Sequence, residues 1–322
     1  MVNGMKNFFL LALLGLLISC NMPKYTSKKE NGNIVFSINN RPIVSYRYNL
    51  TYPPKGVDTA YKRSGYIHPI KTLGGHTVTQ IQPSDHYHHY GLWNPWTHVL
   101  YKKDTLDFWN LKKGLGTVRF KNIVSLSTNS YKVHQEHVVL KNGREEVALN
   151  ETQEVQIHYI SDKVYSLHLT IRYECATENP FKILEYKYGG LCLRGTKEWD
   201  TQTSLISSDR KKERDSLDGS LAKWCKVEGK LGDSYGGVAI LSHPQNYNHP
   251  QPLRVWPEET EGDGNVFINF APTKNKDWVL KPGKTYTLRY KLIIFDGILT
   301  DTETNVLYDI YRQEYPTGIP VL

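Results

Sequence analysis

Cysteine and methionine are scarce in this chain, at four and three among 322 residues. No cysteine stands in a CxxC spacing, which excludes a thiolate zinc site and a small disulfide-framed fold. Little methionine beside 22 tyrosines argues against a helix bundle and for pleated surfaces. Beyond residue 18 no apolar run approaches the ~20 residues of a membrane-spanning helix. Repeats at a fixed period and low-complexity segments are missing as well. Nor is charge of one sign gathered anywhere. Lysine and arginine number 40 against 32 acidic residues, and the excess is spread over loops such as Lys62-Arg63, Lys102-Lys103, Lys112-Lys113 and Lys211-Lys212. A nucleic-acid partner would need a concentrated basic face, so none is expected.

The one long apolar run opens the chain, in MVNGMKNFFLLALLGLLISC. Lys6, the apolar stretch from Phe8 to Ile18 and the small Ser19 make a secretory signal. Leu17-Ile18-Ser19-Cys20 resembles the lipobox of bacterial lipoproteins. That resemblance implies a signal peptide over 1–19, an acylated Cys20 as mature N-terminus, and a lipid-anchored protein of the bacterial cell envelope. Residues 20–33 are polar, with Lys24, Lys28 and Lys29, and are expected to form a flexible tether. Cys175, Cys192 and Cys225 remain, an odd number that permits one bridge at most.

Residues 34–322 are long enough for one large β domain. Period-two alternation dominates them. In VYSLHLTIRYEC, Tyr165, Leu167, Leu169, Ile171 and Tyr173 share one face, while Ser166, His168, Thr170, Arg172 and Glu174 share the other. TYTLRYKLIIFDG repeats the pattern. A helix is expected only at the end, where Thr300 and Glu303 form a capping box and Val306, Leu307, Ile310 and Tyr311 an apolar stripe, with Pro316 ending it. The fold class is therefore all-β: a large antiparallel β-sandwich of supersandwich or jelly-roll kind, galactose-mutarotase-like, with a short C-terminal helix. The segments 83–115 and 195–220 are too long for plain connectors, which points to function.

The stretch PSDHYHHYGLWNPWTH concentrates histidines beside tryptophans. Were it a strand, His86 and His88 would share a face about 6.6 Å apart, and His89 would face the other way. Such a pair suits either metal ligation or acid–base work. Asp85 would then be a further ligand, or the acceptor that fixes an imidazole tautomer. His68 and His243 each precede a proline, which favours extended backbone and a side chain aimed into a cleft. Trp93, Trp96 and Trp109 lack core periodicity and suit a stacking platform for a sugar ring, although core packing explains each as well. Downstream, Glu185 is expected on a strand, facing inward as the partner of a histidine. Arg194 and Asn246 add polar groups to the candidate site.

In order along the chain, HPIKTLGGHTVTQIQPSDHYHHYGLWNPWTHV, LEYKYGGLCLRG, AKWCKVEG, VAILSHPQN and LKPGKTYTLRYKLIIFDG resemble the blocks of an uncharacterised bacterial family labelled methane oxygenase PmoA. The similarity runs from about residue 40 to 315, and the histidine block is specific to that family. Its matching positions are His68, Asp85, His86, His88, His89, Gly91, Trp96, Glu185, Arg194, His243 and Asn246. Where the family carries an arginine after the histidines, this chain has Tyr90. The resemblance implies a secreted or lipid-anchored β-sandwich protein, often encoded near sugar-processing genes, with no established reaction. The residues then point to a carbohydrate-active enzyme. His86 or His88, with His68 or His243, would act as acid or base. Glu185 would be the partner, Arg194 would hold a substrate oxygen, and Trp93 or Trp96 would stack on the ring, with Asp85, His89 and Asn246 binding substrate. Two alternatives stand beside it: a non-catalytic glycan-binding lipoprotein, and an enzyme whose divalent metal is held by His86 and His88. The leading reading requires no cofactor.

Overall fold

A computed structural model describes residues 22–199, 203–209, 211–257 and 264–315. The expected signal peptide, Cys20 and Pro316 lie outside them. Alternation of apolar and polar residues produces three antiparallel sheets among the described residues. One has nine strands, running in the order Tyr25–Glu30, Asn33–Ile38, Arg41–Arg47, Tyr66–Ile70, Leu92–Trp93, Leu191–Arg194, Phe267–Phe270, Gln251–Val255 and Leu221–Ala222. A second has eight, in the order Thr203–Ser207, Trp224–Leu231, Ser234–Ser242, Tyr286–Asp296, Val164–Cys175, Arg144–Ser161, Ser130–Lys141 and Gly116–Leu126. A four-stranded sheet joins Trp278–Leu280, Phe181–Ile183, Val99–Tyr101 and Asp104–Leu106.

The two large sheets face each other across one core, to which the small sheet also contributes. Phe36 and Tyr46 of the nine-stranded sheet meet Tyr131 of the other, with ring centroids 5.9 and 4.7 Å away. Tyr165, Leu167, Leu169, Ile171 and Tyr173 are all buried in that core, as their spacing requires. The architecture is thus a large antiparallel β-sandwich with a C-terminal helix.

Two expectations need correcting. The stretch taken for a tether contains a strand: Tyr25–Glu30 pairs with Asn33–Ile38 through a turn at Asn31-Gly32, both in left-handed conformation. The polar residues had hidden it, because an edge strand needs only one covered face. The helix Asp301–Tyr311 forms with the expected capping box, Thr300 Oγ1 accepting from the Glu303 amide and Glu303 Oε2 accepting from the Thr300 amide. It buries Thr304, Tyr308 and Tyr311, however, and leaves Val306 and Ile310 exposed. Tyrosine explains the rotation. Tyr308 and Tyr311 lay their rings on the outer face of the eight-stranded sheet beside Trp224, Ile293 and Phe295, while the Tyr308 hydroxyl still reaches His249 Nε2 at 3.2 Å. All three described cysteines are free thiols.

Candidate functional site

The outer face of the nine-stranded sheet carries a second aromatic layer. Leu92, Leu193, Val255 and Ile268 point into the core, so their neighbours Trp93, Cys192, Trp256 and Phe267 point outward by the pleat. Register holds them together, with Trp93 opposite Cys192, and Arg194 opposite Phe267.

Over this floor lies the histidine segment, and it is not a strand. Pro83, Ser84 and Asp85 favour turns, and two successive turns form, closed by His86 N to Pro83 O and His89 N to His86 O, both 3.0 Å. The turns bring all three imidazoles to one place. Ring centroids are 5.3 Å apart for His86–His88, 4.9 Å for His86–His89 and 4.8 Å for His88–His89. His89 therefore does not face away, as extended backbone would require. It is buried on the floor, against Trp93 at 5.2 Å and Phe267 at 5.1 Å. Gly91 then leads into the strand with φ +65°. A side chain there would meet the Ile67 carbonyl at 2.7 Å, so only glycine lets the segment return so close to its neighbour.

Asp85 organises the charges. Arg194, only 1% exposed, grips it with both terminal nitrogens, Nη1 to Oδ2 at 2.9 Å and Nη2 to Oδ1 at 3.1 Å. The guanidinium also donates to Asn265 Oδ1 at 2.6 Å and lies 5.3 Å from the Trp256 ring. Burial raises the Asp85 pKa, but the His86 hydrogen bond and the Arg194 charge outweigh it and bring the carboxyl down to about 2. An ionised carboxylate only accepts, so the 2.9 Å contact between His86 Nδ1 and Asp85 Oδ2 is an N–H donation from the ring. In neutral His86 this leaves Nε2 as the basic nitrogen. Burial, with His86 beside it, pushes His88 down to about 4, and burial with its histidine neighbours and Arg194 holds His89 well below the usual imidazole range. Both are neutral at physiological pH.

The three histidines line a cleft of about 150 Å³ together with Trp109, Asn110, Tyr186, Tyr188 and Trp256. Trp109 and Asn110 are fixed by Asp107, whose carboxylate accepts from both amides at 3.0 and 2.8 Å, from Asn110 Nδ2 at 2.8 Å and from Lys113 Nζ at 2.8 Å. Two donors converge on the Tyr188 hydroxyl oxygen, Trp256 Nε1 at 3.1 Å and Arg254 Nη2 at 3.2 Å. Among the described residues, His89 Nδ1, Trp93 Nε1 and Asn265 Nδ2 are buried with no hydrogen-bond partner. Of these three, His89 lines the cleft, and other buried polar atoms without a partner occur elsewhere among the described residues.

The remaining candidates lie elsewhere. His68 sits in Tyr66–Ile70, bonded through Nδ1 to Thr79 Oγ1 at 2.9 Å, behind the cleft and not on its wall. Burial, with Lys71 nearby, lowers it to about 4. Trp96 is packed in the main core, 5.8 Å from Trp278. Glu185 lies past the end of Phe181–Ile183 and is exposed, with only its amide engaged, on Asp277 at 2.7 Å. The strand stops two residues short of it, so no pleat turns it inward. His243 is under the C-terminal segment, 5.3 Å from Tyr311. Asn246 closes a turn there, its Oδ1 accepting from the Arg289 amide and its Nδ2 donating to the Arg289 carbonyl, both at 2.7 Å. Tyr90 is turned from the cleft, donating to the Tyr61 carbonyl beneath Arg63. Among the described residues no three of His, Cys, Asp and Glu are set to hold a metal ion.

Sequence reasoning missed Trp256, Tyr188, Tyr186, Asn110 and Asn265. Alternation in Gln251–Val255 and Phe267–Phe270 marks which neighbours face outward, and that signal reaches Trp256 and Phe267.

A family model matches residues 33–309, described as a family of unknown function, DUF6807. The chain belongs to this family. The match is to an uncharacterised family, and it carries no methane oxygenase label. Among curated proteins none matches in sequence. Of solved structures, a heparan sulfate lyase, HepC from Pedobacter heparinus, is similar with a TM-score of 0.41 and 10% identity, over 86% of this chain and 38% of that one. The chain thus spans under two fifths of the lyase's length. A GalM/aldose epimerase homologue from C. elegans is similar with a TM-score of 0.35 and 8% identity, over 87% of this chain and 100% of that one.

Proposed function

We propose that the cleft is a carbohydrate-active site, in which His86 moves a proton on a sugar ring. The observation that carries this is Asp85, gripped by buried Arg194 and in turn fixing His86 through Nδ1. A carboxylate that orients an imidazole and steadies its charged form is the arrangement acid–base catalysis needs. Asp85, and not Glu185, is the partner of the histidine.

The walls argue for a sugar. Trp109, Trp256 and Tyr188 line it with aromatic rings, and His86, Asn110 and Tyr186 add polar groups suited to hydroxyls around a ring edge. A volume of about 150 Å³ takes one ring of a longer chain and falls below the usual range for whole ligands. Among the described residues that line the cleft none is a carboxylate, and the His86–Asp85 pair fits proton abstraction of the epimerase or lyase type. Neutral His86 serves as base through Nε2. With two donors already on its oxygen, Tyr188 is free to give its own proton and serves as acid. Arg194 acts through Asp85 and does not itself grip substrate.

The protein carrying this site is held at the bacterial cell envelope by a lipid on Cys20. The functional test is a panel of neutral and acidic glycans incubated with the mature chain and followed by mass spectrometry. Conversion that is lost in His86→Asn and in Tyr188→Phe supports the assignment. Binding without conversion in the parent chain supports instead the non-catalytic lectin-like alternative, and no binding rejects both.

A further inference from the structure

We propose that the end of the sandwich bearing Met22, Ile160 and Ile298 rests directly on the lipid bilayer. This rests on the Cys20 anchor proposed above and goes beyond it, because an anchor on a long tether leaves a domain free to tumble. The tether is nearly absent. Lys24 is fixed to Asn39 in both directions, its amide donating to Asn39 Oδ1 at 2.9 Å and its carbonyl accepting from the Asn39 amide at 2.9 Å. Only four residue steps separate Lys24 from Cys20, a reach of at most about 14 Å when fully extended. The headgroup layer alone takes up ~5–8 Å of that. The first strand therefore begins within about one headgroup thickness of the surface, and this end of the domain must face it.

The end is built for such contact. The Tyr159 amide donates to the Tyr25 hydroxyl at 2.7 Å, tying the first strand to the hairpin turn at 159–165. The Asp296 amide donates to the Lys163 carbonyl at 2.9 Å, bringing the turn after Tyr286–Asp296 alongside. At this end Met22 is 86% exposed, Ile298 72% and Ile160 47%, large apolar side chains that the core does not use. Lys24, Arg41 and Lys163 are exposed around them. The acids here are Asp162, also exposed, Asp296, whose Oδ2 accepts from the Gly74 amide at 2.8 Å, exposed Asp233 on the hairpin that Gly297 joins through the Tyr235 carbonyl, and exposed Glu198, which accepts from the Gly232 amide of that hairpin. Exposed apolar tips with Lys24 and Arg41 beside the anchored strand fit a headgroup interface.

The test uses the mature chain with its lipid, in vesicles of phosphatidylethanolamine and phosphatidylglycerol with brominated acyl chains. A bimane fluorophore is attached at Ile298→Cys or Ile160→Cys, and for comparison at Leu221→Cys on the far edge of the sheet, each in a Cys175→Ser background. Bromine should quench positions 298 and 160 at least about twofold more than position 221. Equal quenching with Cys20 shown by mass spectrometry to be acylated overturns the docking surface and leaves the anchor standing. An unacylated Cys20 overturns both.

Discussion

Replacing Asp85 with asparagine isolates the interaction on which the site is built. The side chain keeps its shape, but one acceptor oxygen becomes a donor facing Arg194 and His86, both donors themselves. Breaking a buried ion pair by removing one partner costs ~3–5 kcal/mol. Asn retains one acceptor, and the Asp85 side chain is 15% exposed, so about 2–3 kcal/mol is expected. With an unfolding entropy of ~2.1 cal/mol/K per residue over roughly 300 ordered residues, that lowers Tm by about 3–5 °C. Thermal unfolding followed by circular dichroism near neutral pH reads the shift. The sign with pH is fixed. A carboxyl held at about 2 contributes fully above its unfolded value near 3.8 and loses its contribution as pH falls through about 2. The gap between parent and variant should therefore persist down to about pH 4 and close below it. In a double-mutant cycle with Arg194→Met, the combined loss should fall short of the sum by at least ~1 kcal/mol. A Tm change under ~1 °C, or strict additivity, would refute the Arg194–Asp85–His86 linkage.

Trp109→Ala and Trp96→Ala should each cost ~3–5 kcal/mol of stability, since both side chains are buried, but only Trp109→Ala should also weaken glycan binding about tenfold; titration calorimetry of the folded variants separates the two, and weakened binding in Trp96→Ala alone would move the cleft. Glu185→Gln should leave both turnover and Tm unchanged, since the side chain is exposed and outside the cleft, and a turnover defect would restore Glu185 as catalytic partner. Acidification should destabilise the fold between about pH 6.5 and 4. Burial lowers His68, His88, His243 and His249 to about 4 and His168 to about 2, so the unfolded chain takes up protons that the folded chain refuses. Each contributes a loss of up to ~1.4 kcal/mol per pH unit across its window. A flat urea midpoint from about pH 7 to 5 would contradict this.

Alternation made the sandwich legible, because strands such as Val164–Cys175 bury one face cleanly. The edge strand Tyr25–Glu30 escaped notice, since an edge can be polar nearly throughout. The site was readable as a segment but not as geometry. The histidines, Asp85 and Arg194 stood out by type. Only the turns begun by Pro83 bring His89 round to join His86 and His88, and that required knowing the backbone was not extended. Glu185 misled for a related reason: its apolar neighbours suggested a strand that ends at Ile183. His243 and Asn246 carry the same residue types into a structural turn, where Asn246 satisfies the Arg289 backbone and donates to the Ser242 hydroxyl. Trp256 and Tyr188 reach the cleft from segments next to strands far along the chain, and strand pairing of that kind leaves no local mark in sequence.

The most direct measurement is the rate at which the mature chain converts a glycan drawn from the panel, compared between the parent and His86→Asn with binding measured alongside. The expected result is a fall in kcat of about a hundredfold or more with affinity nearly kept, as loss of a positioned acid–base group entails. Undiminished turnover in His86→Asn would contradict the assignment of His86 as the group that moves the proton.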